Sequence, residues 1–502
     1  MSAIGADAGI ERLPSGVAGL DTILHGGFIR GGLYIIQGVP GAGKTILGNQ
    51  ICYNHVAGGN SALYVTLLAE NHARMLLHLR PMHFFDPSVI PEALTYVSAF
   101  DILEEAGLKG LQTLLRQEAE ARNATLLVLD GLVAAQESGA STREFKRFVN
   151  ELQTQAGAID CTMFLLTSAH GQIVSPEHTM VDGVLELADE VYGFRAERRL
   201  EVRKFRGSDY LRGRHAFRIA NEGIVVFPRL EALPSSPPRA QPGGPCRISI
   251  GIGKLDAMLG GGVPCNTATM LLGVPGTGKT TIGLHYLAAA SAAEPGLFFG
   301  FSETPAQLIE MGRTLGLALE PAIERGAIEF MWQAPMENIL DELGHRLLAA
   351  IERRNVKRLF IDGFAGFSAA GTSPDRIARF AAALTNDLRG RGVTTIYTME
   401  TDELIGADIG IPIAGLAAIV DNIVLLRLVE LRASLRRVLS ITKVRGSAFD
   451  TRFREFIIAT HGIDLADTFE SAEAVLSGFA RERTAAERRK PRTRGGGGER
   501  SS

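Results

Sequence analysis

Short uninterrupted apolar runs punctuate the chain: GLYIIQG at 32–38, ALYVTLL at 62–68, TLLVLD at 125–130 and TMFLLTS at 162–168. Each is apolar at successive positions instead of alternate ones, which predicts strands covered on both faces. Between them lie longer segments that read as helices, such as the one holding REFKRFVNELQTQAG at 143–157. Fully apolar strands separated by helices predict α/β domains, each a doubly wound, mainly parallel sheet with helices on both sides.

The pattern occurs twice. SGVAGLDTILHGGFIRGGLYIIQGVPGAGKT, ending at Thr45, is echoed by SIGIGKLDAMLGGGVPCNTATMLLGVPGTGKT, ending at Thr280, and both Asp21/Asp256 and Lys44/Lys279 are 235 residues apart. LYVTLLAEN (63–71) matches LFFGFSETP (297–305), and RLEVRKFRGSDY (199–210) matches RVLSITKVRGSAF (437–449). So long a period marks duplication of a whole domain. The Pro-, Ser- and Gly-rich stretch 229–246 reads as a linker between a first domain, 10–228, and a second, 247–468. Residues 469–502 read as a C-terminal helix and disordered basic tail, with eight basic and three acidic side chains from Arg481 onward.

Charge narrows the function classes. The chain carries a formal −3, so removing the +5 tail leaves −8 on the folded part. That excess, without interleaved aromatic and basic residues, argues against nucleic acid as a partner except through the tail. The chain shows no apolar run of membrane-spanning length and no basic segment followed by an apolar stretch at its start, so a cytoplasmic protein is expected. The four cysteines, Cys52, Cys161, Cys246 and Cys265, form no CxxC pair, so neither a disulfide framework nor a zinc site is expected.

Candidate chemistry begins with two GxxxxGK[ST] loops. Gly38, Gly41, Gly43, Lys44 and Thr45 are matched by Gly273, Gly276, Gly278, Lys279 and Thr280, each set between an apolar strand and a helical segment. Glycines turn backbone N–H groups toward phosphate, the lysine neutralises the outer phosphates, and the threonine hydroxyl can ligate Mg²⁺. A nucleoside triphosphate and Mg²⁺ are therefore expected. Asp130 and Asp362 each close an apolar strand, 86 and 83 residues after their loop lysines, where a carboxylate can support the metal or simply cap a helix.

Hydrolysis also needs a group that orients or activates water. Glu303, in FSETP, stands just past a strand on the appropriate sheet edge. The first copy has Leu68 and Ala69 there; Glu70 shares the face of Leu68 if the strand stays extended, and either reaches the water or caps a helix. Lys204 and Arg206 in KFRG, and Lys443 and Arg445 in KVRG, alternate on what reads as an edge strand. Such a pair can meet one anion, in the manner of a cation lent by a neighbouring subunit, or form a solvated face.

The run from SGVAGLD to PGAGKT, the DG after an apolar strand, VDGVLEL and VDNIVLL, and K-x-R-G near each domain end together resemble the KaiC family of RecA-like ATPases. The resemblance covers about residues 10–228 and 247–465. It implies two RecA-like domains in a two-tier homohexamer, ATP bound between subunits, the four K-x-R residues acting in trans, and slow hydrolysis coupled to signalling through a protein regulator. This chain departs from the family at two places. The family's Glu-Glu pair reads Leu68-Ala69 and Ser302-Glu303, and its Ser-Thr phosphorylation pair aligns with Ala417-Ala418. ATPase activity without that autophosphorylation is expected; a serine/threonine autokinase, a DNA-processing ATPase and an ATP-dependent scaffold are the alternatives.

Overall fold

A computed structural model describes residues 11–67, 72–138, 141–168, 176–234, 246–334, 336–401, 413, 415–431, 434–460 and 462–466. The chain divides into two compact units, the first ending at Leu233 and the second starting at Pro234.

In the first unit a nine-stranded sheet is built outward from Leu33–Gly38. On one side, all parallel, come Thr162–Ser168, Leu126–Asp130, Ala62–Thr66 and Leu94–Ser98. On the other side Gly183–Tyr192 is also parallel, and Arg195–Phe205, Arg214–Ala220 and Gly223–Phe227 then follow antiparallel. The second unit repeats this order. Ala268–Leu272 lies between the parallel strands Thr394–Met399 and Asn422–Leu431, with Arg358–Asp362, Gly296–Gly300 and Ile328–Trp332 beyond the former. These are two tandem RecA-like α/β domains.

The apolar runs are strands because both of their faces are covered: every residue of Leu126–Asp130 and of Arg358–Asp362 is buried. Helices supply the cover. Thr142–Ala158 buries Phe145, Phe148, Val149, Leu152 and Ala156 at helical spacing, and its N-cap Ser141 accepts from the Glu144 N–H. Each large apolar side chain so buried contributes about 1.5–3 kcal/mol before entropy is counted.

Three expectations need correction. The K-x-R strands are edge strands only in part: Arg195–Phe205 and Ser434–Val444 pair on a second side at Arg198–Glu201 and at Val438–Leu439, where a further hairpin extends the sheet, whereas Lys204 and Lys443 pair on one side alone, with Val184 and Ile423. The first five linker residues belong to the first unit, since Leu230 is buried and Ala232 and Leu233 pack against its core. Finally, Cys246 and Cys265 form a disulfide, Cα–Cα 5.4 Å. The short ladder Arg247↔Pro264 and Ile248↔Val263 brings them together across 19 residues, a proximity that spacing alone does not reveal. The remaining linker, 235–245, and the tail call, 469–502, lie outside the described residues. Among the described residues no helix is long and apolar enough to cross a membrane.

Candidate active sites

Each phosphate loop leaves the strand at the centre of its sheet and enters a helix that begins at the lysine, Lys44–Ala57 in the first unit and Lys279–Ala288 in the second. The N-caps Gly43 and Gly278 have φ of 104° and 97°, a left-handed turn that aims the loop's N–H groups inward. Gly38 and Gly273 are required for space: a Cβ there would lie 2.3 and 2.4 Å from the carbonyl oxygens of Leu187 and Leu426. The lysines curl back over their loops. Lys44 Nζ donates to the Gly38 and Val39 carbonyls at 2.8 and 3.1 Å, and Lys279 Nζ to those of Gly273 and Val274 at 2.8 and 2.9 Å. Burial lowers both ammonium groups' pKa, opposed by Asp130 at the first site and by Glu400 and Asp362 at the second.

In the first unit Thr45 Oγ1 donates to Asp130 Oδ2 at 2.9 Å, and the Tyr64 hydroxyl donates to the same oxygen at 2.9 Å. In the second, Thr398 Oγ1 donates to Asp362 Oδ1 at 2.6 Å, and the Thr280 hydroxyl stands beside the same carboxyl, whose buried Oδ2 makes no hydrogen bond of regular geometry. Both carboxyls are pushed above the usual range by burial, with the neighbouring hydroxyls and lysine opposing. Hydroxyl and carboxylate oxygens side by side, and a buried carboxylate oxygen without a regular hydrogen bond, fit a hard cation such as Mg²⁺. Among the described residues no cluster of three or more His, Cys, Asp or Glu side chains could hold a metal ion by itself.

Glu303 follows the strand Gly296–Gly300, whose last residue registers with Asp362. Its carboxyl is raised by burial and by the negative charges of Asp362 and Glu400. The second site therefore gathers Lys279, Asp362, Glu303 and Glu400. At the first site the register Thr66↔Asp130 is the same, but Glu70, with Leu68 and Ala69, lies outside the described residues.

The K-x-R residues are held within their own chain. Lys204 Nζ donates to the carbonyls of His178, Thr179 and Val181 at 2.8, 3.1 and 2.6 Å, and Arg206 donates to Thr179 at 2.7 Å. Lys443 Nζ donates to the carbonyls of Ala417 and Val420 at 2.8 and 2.6 Å, and Arg445 reaches Ala418 O and Asp421, both at 3.4 Å. Thr280 follows Lys279 as Thr45 follows Lys44, at the start of its helix.

Sequence reasoning missed Tyr64, Thr398, Glu400 and Arg437. Glu400 follows the strand beside the phosphate loop and lies 3.9 Å from Lys279 Nζ, where the first copy has Ser168 beside Gly38. Its acid, directly after the β-branched and aromatic run TTIYTM, was the available signal. Arg437 Nε donates to the Gly276 carbonyl at 3.1 Å.

The KaiC ATPase family model matches residues 13–231 and again 248–469. The circadian clock oscillator protein KaiC of Picosynechococcus sp. is 26% identical over 493 residues, spanning 94% of this chain and 93% of that protein. That of Synechococcus elongatus is 27% identical over 489 residues, spanning 93% and 92%. With two matches that take in nearly all of both nucleotide-binding units, the chain belongs to the KaiC family of ATPases.

Proposed function

We propose that the protein hydrolyses ATP at subunit interfaces of a two-tier homohexamer and uses the resulting conformational change as a cytoplasmic signal to a protein regulator. The observation that carries this reading is the duplicated set of loop lysine, loop threonine and strand-end aspartate, joined in the second copy by Glu303. Gly38, Gly41 and Gly43, with Gly273, Gly276 and Gly278, hold the phosphates by backbone N–H groups, and Lys44 and Lys279 leave their carbonyl partners to meet them. Thr45 and Asp130, and Thr280 and Asp362, would hold Mg²⁺, which supplies charge neutralisation when bound. In the second site Glu303 orients the attacking water and takes its proton as the oxygen bonds to the γ-phosphorus and the bond to the β-phosphate oxygen breaks, giving ADP and phosphate. In the first, Glu70 is the remaining acid for that role, so the first ring turns over more slowly and serves mainly as an ATP-dependent scaffold. Lys204, Arg206, Lys443 and Arg445 contact phosphate across the interface.

Autophosphorylation at the family position is not expected, because Ala417 and Ala418 have no hydroxyl to accept phosphate. Stable label from γ-labelled ATP mapped near Ala417 would contradict this. The main test is steady-state ADP production by wild type, Lys44→Ala and Lys279→Ala, with the assembly mass of each. Loss of turnover from an intact Lys279→Ala hexamer, and loss of the hexamer together with the turnover that depends on it in Lys44→Ala, support the reading; a Lys44→Ala protein that keeps the hexamer yet loses most hydrolysis rejects it.

A further inference from the structure

Each unit begins with the same two-residue ladder, Arg12↔Ile29 and Leu13↔Phe28 in the first, Arg247↔Pro264 and Ile248↔Val263 in the second. One step further out, the first unit sets Glu11 opposite Arg30 as an ion pair. The second sets Cys246 opposite Cys265 as a disulfide. One clasp position, 235 residues apart in the two copies, is thus held by charge in one and by a covalent bond in the other.

What the clasp secures is the same in both. Arg12 Nη1 donates to the Leu24 and Gly27 carbonyls, both at 2.9 Å, and its Nη2 donates to Ser208 Oγ. Arg247 Nη1 donates to the Leu259 and Gly262 carbonyls at 2.6 and 2.8 Å, and its Nη2 to Ser447 Oγ at 2.7 Å. Ser208 and Ser447 each stand two residues after the arginine of K-x-R-G. The residue next to each clasp therefore ties the opening strand to the loop that follows the K-x-R pair. Access differs among the cysteines: Cys246 is exposed and Cys265 half-buried, whereas Cys52 and Cys161 are buried, with burial pushing their thiols up.

We propose that Cys246–Cys265 is a thiol–disulfide exchange site for a dithiol reductant, and that its redox state fixes or frees the Arg247 strand and, through Ser447, the loop after Lys443 and Arg445. A thiolate of the dithiol attacks the exposed Cys246 sulfur, forming a mixed disulfide as the Cys246–Cys265 bond breaks and Cys265 leaves as thiolate. The second thiolate of the reagent displaces Cys246. Two protein thiols and one cyclic disulfide result, with two electrons and two protons passed to the protein; a disulfide oxidant such as oxidised glutathione reverses the change. The first unit, clasped by an ion pair, does not respond.

The test uses the full chain without denaturant, equilibrated with dithiothreitol or with oxidised glutathione. Alkylation and mass mapping should label Cys246 and Cys265 only after dithiothreitol, and Cys52 and Cys161 under neither condition. Amide exchange should then quicken about tenfold or more in peptides covering 247–250 and 446–449, and stay unchanged in 12–15 and 207–210. A pair that resists native reduction, unchanged exchange in both second-unit peptides, or equal quickening in the first unit would each overturn the proposal. Cys246→Glu with Cys265→Arg transplants the ion pair and should make the second-unit peptides indifferent to reductant. Persistent quickening in that variant would place the effect elsewhere; should the variant not fold, the wild-type comparison decides alone.

Discussion

The Tyr64 hydroxyl donates to Asp130 at 2.9 Å, and the residue matched to Tyr64 in the second copy, Phe298, has no hydroxyl to offer Asp362. Thr398 serves there instead, at 2.6 Å and from the strand on the opposite side of the carboxylate's own. The two copies therefore orient the matched strand-end carboxylate from opposite directions. Burial beside Asp130 pushes the Tyr64 phenol up, so it remains a donor at any working pH. Tyr64→Phe should cost about 1 kcal/mol and weaken Mg-ATP binding in the first unit only, read as nucleotide affinity in a Lys279→Ala background. Thr398→Val should do the same to the second unit, read with Lys44 intact as a weakened second-unit phase of nucleotide binding to the hexamer. Equal effects of either change on both units would reject separate control.

Glu303→Gln should lower second-domain turnover about 10²- to 10³-fold while leaving ATP binding near wild type, as expected for a group acting on water. The pH dependence has a definite sign. Burial, Asp362 and Glu400 all raise the Glu303 carboxyl, and a base works only when deprotonated, so kcat falls as pH drops through that raised pKa. The acid limb should therefore begin above the ordinary carboxylate range. Removing one neighbouring charge with Glu400→Gln should move it to lower pH. An acid limb that stays fixed in Glu400→Gln would separate Glu303 from the chemistry.

Asp182 and Asp421 occupy matched positions, yet their removal should cost different amounts. Asp421 is 5% exposed, accepts from the Ala268 N–H at 3.0 Å and pairs with Arg389 at 2.7 Å. Asp421→Asn leaves a largely buried guanidinium without its counter-ion, a loss of about 3 kcal/mol that Arg389's bond to the Ile419 carbonyl keeps from being larger. Asp182 accepts from the Leu33 N–H and from neutral Gln153, at 3.0 and 3.2 Å. Asp182→Asn should cost about 1 kcal/mol. Native-state hydrogen exchange in Ala268–Leu272 and Leu33–Gly38 reads each unit separately, which a single unfolding midpoint for two domains does not.

What is legible in the sequence is what depends on local pattern. Lys44, Thr45 and their copies are fixed by loop geometry that no other spacing supplies, and Asp130 and Asp362 stand out because an acid ends a fully apolar strand. The fold class followed from the same runs. Tyr64, Thr398 and Glu400 were missed because their roles depend on which strands are neighbours in the sheet, and strand order is a property of the folded sheet. Tyr64 in particular reads as one more core aromatic until Leu126–Asp130 is set beside it. The Cys246–Cys265 bond and the closing hairpins that flank part of each K-x-R strand were hidden for the same reason: long-range pairing makes them.

Lys443 and Arg445 differ in how firmly their own chain holds them, so the trans contact proposed for both is tested more cleanly at Arg445, where substitution disturbs less of its own chain. Lys443 Nζ ties the short helix Leu416–Ile419 through the Ala417 and Val420 carbonyls, whereas Arg445 is 60% exposed with its nearest partners at 3.4 Å. Lys443→Met should speed amide exchange across 416–421 as well as slow turnover, and Lys443→Arg should rescue neither well, since a planar guanidinium does not reproduce a compact ammonium between two carbonyls. Arg445→Ala should slow turnover about tenfold or more with little change in that exchange, because a cation lent to a neighbour's phosphates acts in the transition state. Mixing then decides where it acts. Lys279→Ala chains and Arg445→Ala chains are each impaired alone, but in a mixed hexamer some interfaces join an intact phosphate loop to an intact arginine. Recovery of ADP production on mixing requires the arginine to serve the neighbouring subunit; strictly additive, unrecovered rates would assign it to its own site.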